Sequence, residues 1–366
     1  MVLEFDSPGS VLWGYGKPGA GVDVAVFGDI LSTDINDAGM WKMSVWATLA
    51  GGPFHMDVYQ TERGNYTAHV GLCDVYFGEV FLCGGEANMA FPVAKMFNGS
   101  EELAASSQFP LIRLLPIAPA SSSIELQEPR ILHNWTVASP AALQDFSALC
   151  WTTGRRLYED LRARFGETPI GLIGAYQDAS SPVRTWTPPG SIGQCGGSVP
   201  QPASDSKLWN AMIAPLKQLR LTSVIWYQGE SDAAVDTAAY GCLFQAMVEG
   251  WQDHFYRGIA LPFAIVQLGT RNADNTPGAT ARLRWEQTTD YGQVPNEALV
   301  RVFMASAMDL ADPESPFGSQ FPPYKEDIAQ RLLAGIISII YYRHIPFQGP
   351  FPQRIHVSRD HVSLEI

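Results

Sequence analysis

Leu82-Cys83-Gly84-Gly85-Glu86-Ala87-Asn88-Met89-Ala90 is the stretch on which the fold turns. An apolar run from Val75 to Cys83 leads into it, two glycines end that run, and a short polar loop follows. This is the layout of a strand that delivers a nucleophile into a loop. The position that should carry the nucleophile holds Ala87, and a methyl group cannot attack a carbonyl.

Outward from this turn, further continuous apolar runs alternate with helical patterns. Pro169-Ile-Gly-Leu-Ile-Gly, Thr222-Ser-Val-Ile-Trp-Tyr, Phe263-Ala-Ile-Val-Gln-Leu and Val302-Phe-Met-Ala read as strands. Helices are expected from Ser139-Pro140 to Gly166, over 208–216, over 233–255 and over 325–342. On the first of these, Phe146, Leu149, Thr153, Leu157 and Leu161 share a face. Strands apolar along their whole length imply a parallel sheet covered by helices on both faces. Residues 1–75 differ: short apolar runs broken by Gly, Pro, Asn and Asp predict an all-β unit. The α/β unit then spans 76–345, and 346–366 return to a short β pattern.

The chain has 366 residues and a formal net charge of −13, which argues against nucleic acid and anionic membrane surfaces as partners. The longest apolar run, Leu332 to Tyr342, is too short to insert across a membrane and reads as a buried helix. No C-x-x-C pair is present, so no structural zinc and no cofactor are expected. Cys83 and Cys150 lie in apolar runs and read as core thiols, whereas Cys195 and Cys242 can pair. Three sequons, at Asn65, Asn98 and Asn134, fit a glycoprotein with a secretory history, but the first residues show no secretory signal. The compartment stays open.

Cys83-Gly-Gly-Glu-Ala-Asn-Met, Trp226-Tyr-Gln-Gly-Glu-Ser and Ala307-Met-Asp-Leu with Ser315-Pro-Phe-Gly-Ser resemble the signature blocks of the sialate O-acetylesterases, a family of SGNH hydrolases. Trp13-Gly-Tyr-Gly-Lys-Pro-Gly, Gly51-Gly-Pro-Phe and Leu208-Trp-Asn-Ala-Met-Ile extend the resemblance along the chain. It implies a flavodoxin-like SGNH sheet, a secretory or lysosomal setting and a carbohydrate esterase ancestry. The family's signal peptide and most of its C-terminal β region have no counterpart here. The family pattern G-Q-S-N-M places Glu86 at the Gln and Ala87 at the nucleophilic Ser. Its Gly-Gly that helps hold the oxyanion is matched most nearly by Asp178-Ala179. Gln228, Gly229, Glu230 and Ser231 keep the third block, but Asp232 stands where the family has Asn. The His-Pro whose His is the general base is matched by Phe321-Pro322, and the family Asp by Asp309.

A lone change to Ala87 would read as a substitution made to trap substrate. The joint change at Ala87, Phe321, Asp178 and Asp232 reads as natural divergence. The resemblance therefore implies a non-catalytic homologue that binds sialylated or acetylated glycans or serves a protein assembly. Glu86, Asn88, Asp178, Gln228, Asp232 and Trp186 are its candidate ligand contacts. The alternative is an enzyme with a non-standard site. Glu86, Asp178, Glu230, Asp232 and Asp309 would then share a cleft, where like charges raise one carboxyl's pKa. Such a pair suits glycoside hydrolysis or a cation such as calcium. The plainer expectation is that several of these acids face solvent. His133 as a stand-in base and Ser231 as a stand-in nucleophile are the remaining options, and neither has a partner adjacent in sequence.

Overall fold

The computed structural model describes residues 1–6, 9–46, 48–178, 180–195, 205–235, 237–255, 258–270 and 277–350, with backbone alone for 354–357 and 362–365. The strands are β1 (Val2–Glu4), β2 (Ser10–Tyr15), β3 (Gly21–Val26), β4 (Asp29–Asp34), β5 (Met40–Val45), β6 (Gly51–Glu62), β7 (Asn65–Gly85), β8 (Ile112–Pro116), β9 (Thr136–Val137), β10 (Ile170–Tyr176), β11 (Ser223–Tyr227), β12 (Phe263–Gln267), β13 (Val302–Ser306), β14 (Arg354–Val357) and β15 (Val362–Glu365). The α-helices are α1 (Ala87–Ala90), α2 (Gly99–Ala105), α3 (Pro140–Leu143), α4 (Ala148–Phe165), α5 (Val183–Trp186), α6 (Pro189–Ile192), α7 (Glu230–Val235), α8 (Tyr240–His254), α9 (Ala279–Glu286) and α10 (Lys325–Ile339).

The α/β part is the parallel sheet anticipated from its apolar strands. Its order is β13-β12-β11-β7-β10-β8, with β9 antiparallel at the edge. Each of these strands is buried along nearly its whole length, which is why none shows polar alternation. β7 leads on to β8 on one side, while its neighbour β11 leads to β12 on the other. Chain reversal of that kind opens a crevice at the strands' carboxyl ends, and the Gly84–Met89 turn sits there.

Within the first 64 residues β2 pairs antiparallel with β5, and β3 with β4 and β6, while β1 runs parallel to β7. They enclose a small core of their own around Val22, Val24, Val45 and Met56. The expected boundary at residue 75 falls inside β7, a strand of 21 residues. Its first half pairs with β6 and its second half with β10 and β11. Val75 and Phe77 belong to the small core, whereas Val80, Phe81 and Leu82 belong to the large one.

Several expectations change in the structure: residues 233–255 divide between α7 and α8, and 208–216 form a π turn over Trp209–Ile213 and a 3-10 turn over Ala214–Leu216. The helix read from Ser139 is broken. Ser139 caps α3 by accepting from Ala142 N at 3.3 Å, and Ser147 caps α4 anew by accepting from Cys150 N at 3.1 Å. At the break the N–H of Ser147 donates instead to the Tyr176 hydroxyl at 2.9 Å. Cys83 and Cys150 are not free core thiols but a disulfide, bridging β7 to α4; Cys195–Cys242 is a second. Cys83 looked apolar because the bridge itself is buried. Among the described residues no helix is long and apolar enough to cross a membrane.

Candidate active site

Gly85 ends β7 at φ +141°, and a Cβ there would lie 2.0 Å from the carbonyl oxygen of Tyr227. Only glycine lets β7 pass so close to β11. The next residue, Glu86, turns its side chain under the loop after β11. Its Oε1 accepts from the N–H groups of Gly229 at 2.8 Å and Ser231 at 3.1 Å. Its Oε2 accepts from the Ser231 hydroxyl at 2.6 Å and from Ser181 N at 3.4 Å. A buried carboxylate thus ties three loops together, and its acceptor sites are consumed in doing so.

Ala87 opens α1 and is half-buried. Beside it, Asn88 is buried and fully engaged. Its Nδ2 donates to Glu230 Oε1 at 2.5 Å and to the carbonyl of Gln320 at 2.8 Å. Its Oδ1 accepts from Lys325 Nζ at 2.6 Å. The Gln320 contact brings the Phe321 loop against the turn that carries Ala87. Phe321 is half-buried on the large core, and its carbonyl accepts from the Ser315 hydroxyl at 2.9 Å. Two positions 234 residues apart in sequence therefore meet at one end of the sheet, bridged by Asn88.

Lys325 was not legible from sequence. It starts α10 and is buried, its ammonium 4.8 Å from the centre of the Phe91 ring and 5.4 Å from that of Tyr227. Burial lowers its pKa to about 7, opposed by the nearby Glu230. Burial also raises Glu230, and the charge of Glu86 adds to the effect. Glu230 Oε2 is buried with no hydrogen-bond partner.

Of the acids grouped from the sequence, Glu86, Glu230 and Asp232 converge. Asp232 is buried, accepting from Val183 N at 3.0 Å and Gln228 Nε2 at 2.5 Å. Gln228 also donates to the Ser181 carbonyl at 3.2 Å and is fully buried. Both are framework groups, closed to a ligand. Asp178 is exposed in the loop after β10, and Ala179 lies outside the described residues. Asp309 is spent in a two-pronged pair with Arg331, at 2.6 Å on each side. Trp186, expected at a cleft rim, is fully buried and edge-on to Trp226 at 5.6 Å. Its polar neighbours in sequence concealed this: Arg184 turns away to pair with Asp205 at 2.6 Å. Among the described residues no three His, Cys, Asp or Glu side chains converge as a metal site.

An open cleft of about 370 Å³ adjoins the turn at the carboxyl ends of β8 and β10. Ala90, Pro116, Phe146 and Tyr176 wall it, with His133, Asp145 and Asp178 as its polar groups. His133 reaches this cleft, but its Nδ1–H is bonded to the carbonyl of Asn134 at 2.9 Å.

Burial pushes Asp232 from 3.8 up to about 7, and the charge of Glu86 contributes. A carboxyl whose folded pKa is raised contributes stability in full below its unfolded pKa and loses it as pH rises through the folded value. That window runs here from about 4 to about 7. Asp232→Asn cannot ionise. Its melting temperature relative to the parent chain is expected to rise between about pH 4 and about pH 7.5, and differential scanning fluorimetry at the two pH values checks this.

Residues 78–316 match the model of the family described as carbohydrate esterase, sialic acid-specific acetylesterase. The chain is 36% identical to the sialate O-acetylesterase of Pongo abelii, over 98% of this chain and 72% of that protein. It is 35% identical to the Homo sapiens enzyme with the same coverage. A carbohydrate acetylesterase from Xanthomonas citri superposes with a TM-score of 0.82 at 27% identity, covering 97% of this chain and 76% of that one. Together with the strand-end turn and the blocks around it, these matches place the chain in the sialate O-acetylesterase family of carbohydrate esterases.

Proposed function

We propose that this chain is a non-catalytic member of that family, acting as a glycan-binding or structural protein. The observation that carries the proposal is the methyl group of Ala87 at the start of α1, where the family's seryl oxygen would stand. Two further features support it. The loop that would bring the base to Ala87 presents Phe321. The Glu86 carboxylate, held beside Ala87 by the N–H groups of Gly229 and Ser231, would oppose the negative charge of a developing oxyanion. Loss of a triad Ser or His alone costs up to about a millionfold, roughly 8 kcal/mol of transition-state stabilisation. The cleft beside Tyr176 is the space left for a bound sugar. Two disulfides and exposed asparagines at all three sequons, Asn65, Asn98 and Asn134, support an oxidising, secretory setting.

The purified chain is expected to hydrolyse neither p-nitrophenyl acetate nor 9-O-acetyl sialic acid above the buffer rate. Ala87→Ser with Phe321→His is expected to recover weak turnover at best, because Asp309 remains paired with Arg331. One second reading rests on Glu230, a raised carboxyl with an unpartnered oxygen. Turnover by the unmodified chain that vanishes in Glu230→Gln would establish that carboxylate chemistry and defeat the proposal.

A further inference from the structure

Far from the turn, the outward face of β6 and β7 carries an ordered row of reactive side chains. Alternation along β6 puts His55, Asp57 and Tyr59 on one face. On β7 it does the same for His69, Gly71 and Cys73. Asp57 pairs with Gly71 and Tyr59 with His69 in register. Met56 packs in the small core from the opposite face, with Leu72 against it. Cys73 Sγ lies 3.2 Å from His55 Nδ1. The other nitrogen of that ring, Nε2, lies 3.1 Å from Asp57 Oδ2. Asp57 Oδ1 takes His69 Nε2 at 2.7 Å.

The order is thiol, imidazole, carboxylate, with thiol and carboxylate on opposite ring nitrogens. Donors arranged in a line do not surround a metal ion; they form a proton relay. The row is held from several sides. Tyr59 stacks on His69 at 4.7 Å. Asp74, next to the thiol, is in left-handed backbone and is pinned by Arg113 at 2.6 Å. Hydrogen bonds from the two imidazoles, His69 first, hold the Asp57 carboxyl below its ordinary range. The approach is open as well: His55, His69, Gly71 and Cys73 are all exposed, and Gly71 has no side chain to cover the row. Cys73 is exposed and stands outside both disulfides.

We propose that Cys73, His55 and Asp57 form a thiol–disulfide exchange site for low-molecular-weight disulfides. The Cys73 proton passes to His55 Nδ1 while His55 Nε2–H donates to Asp57. Cys73 Sγ attacks one sulfur of RS–SR, that S–S bond breaks, and a Cys73–SR bond forms. The departing RS⁻ takes the proton from His55, so no net oxidation occurs. This chemistry asks for a thiolate and an open line of attack, with no oxyanion pocket. It is independent of the site at Ala87.

The test uses the full chain with its disulfides intact. With 4,4′-dithiodipyridine, the parent chain is expected to release one pyridinethione, and Cys73→Ser none. His55→Gln is expected to slow release roughly tenfold with an unchanged melting temperature. Added imidazole should restore the rate of His55→Gly, which repair of folding cannot mimic. Asp57 is a positioning residue: Asp57→Asn should slow the reaction and Asp57→Glu recover it. Glutathione disulfide should leave one glutathione per chain, on Cys73. Equal rates for the parent and a folded His55→Gln, thione release that persists in Cys73→Ser, or one zinc per chain masking the thiol would each overturn the proposal.

Discussion

Glu86→Ala is expected to destabilise the chain by about 3–5 kcal/mol, because it strips the acceptor from four donors at once. The N–H groups of Gly229, Ser231 and Ser181 and the Ser231 hydroxyl would be left in a site closed to water. Glu86→Gln behaves differently. Its carbonyl oxygen can keep the two short N–H bonds, and its amide can donate to a rotated Ser231 hydroxyl. It also removes a charge beside Glu230 and Asp232, both of which burial already pushes toward the neutral form. The change is expected to lie within about 1 kcal/mol of neutral. Urea unfolding of the two variants separates these outcomes. Equal losses would mean that Glu86 matters for its volume and not for its acceptors.

The second large effect concerns Cys83 and Cys150. Their bridge closes a loop of 67 residues, worth roughly 4 kcal/mol of loop-closure entropy. Both sulfurs are buried, so a double substitution to Ala also leaves an unfilled space. A drop in melting temperature on the order of 5 °C or more is expected for a chain of this size. The Cys195–Cys242 pair closes a comparable loop of 47 residues but ends at the exposed Cys242. Its removal adds little cavity cost and is expected to lower the melting temperature less.

Much of the fold was legible because it is written in local patterns. Each parallel strand is a short apolar run, and residues such as Leu149, Leu157 and Leu161 advertised the buried face of α4. The turn at Gly84–Met89 was legible because glycines mark where backbones must touch. The remainder depends on partners distant in sequence. Lys325 reads as an ordinary helix-opening lysine, and only Asn88, 237 residues earlier, makes it a buried donor. Asp232 and Glu86 look like surface acids until the N–H groups that satisfy them are known. Cys150 resembles any small core residue without Cys83 beside it. Asp309 matched a family position in sequence, yet Arg331 on α10 has claimed it.

β7 has a consequence of a different kind. One strand serves the small N-terminal unit through β6 and the centre of the large sheet through β10 and β11. The ladder with β6 ends at Phe77 and the ladder with β10 begins at Glu79, so the chain passes from one unit to the other with no loop between them. The two units are therefore bound to melt as one cooperative block. A protease cut near residue 75 would not release two modules; it would sever the strand that positions Gly85, Glu86 and Ala87.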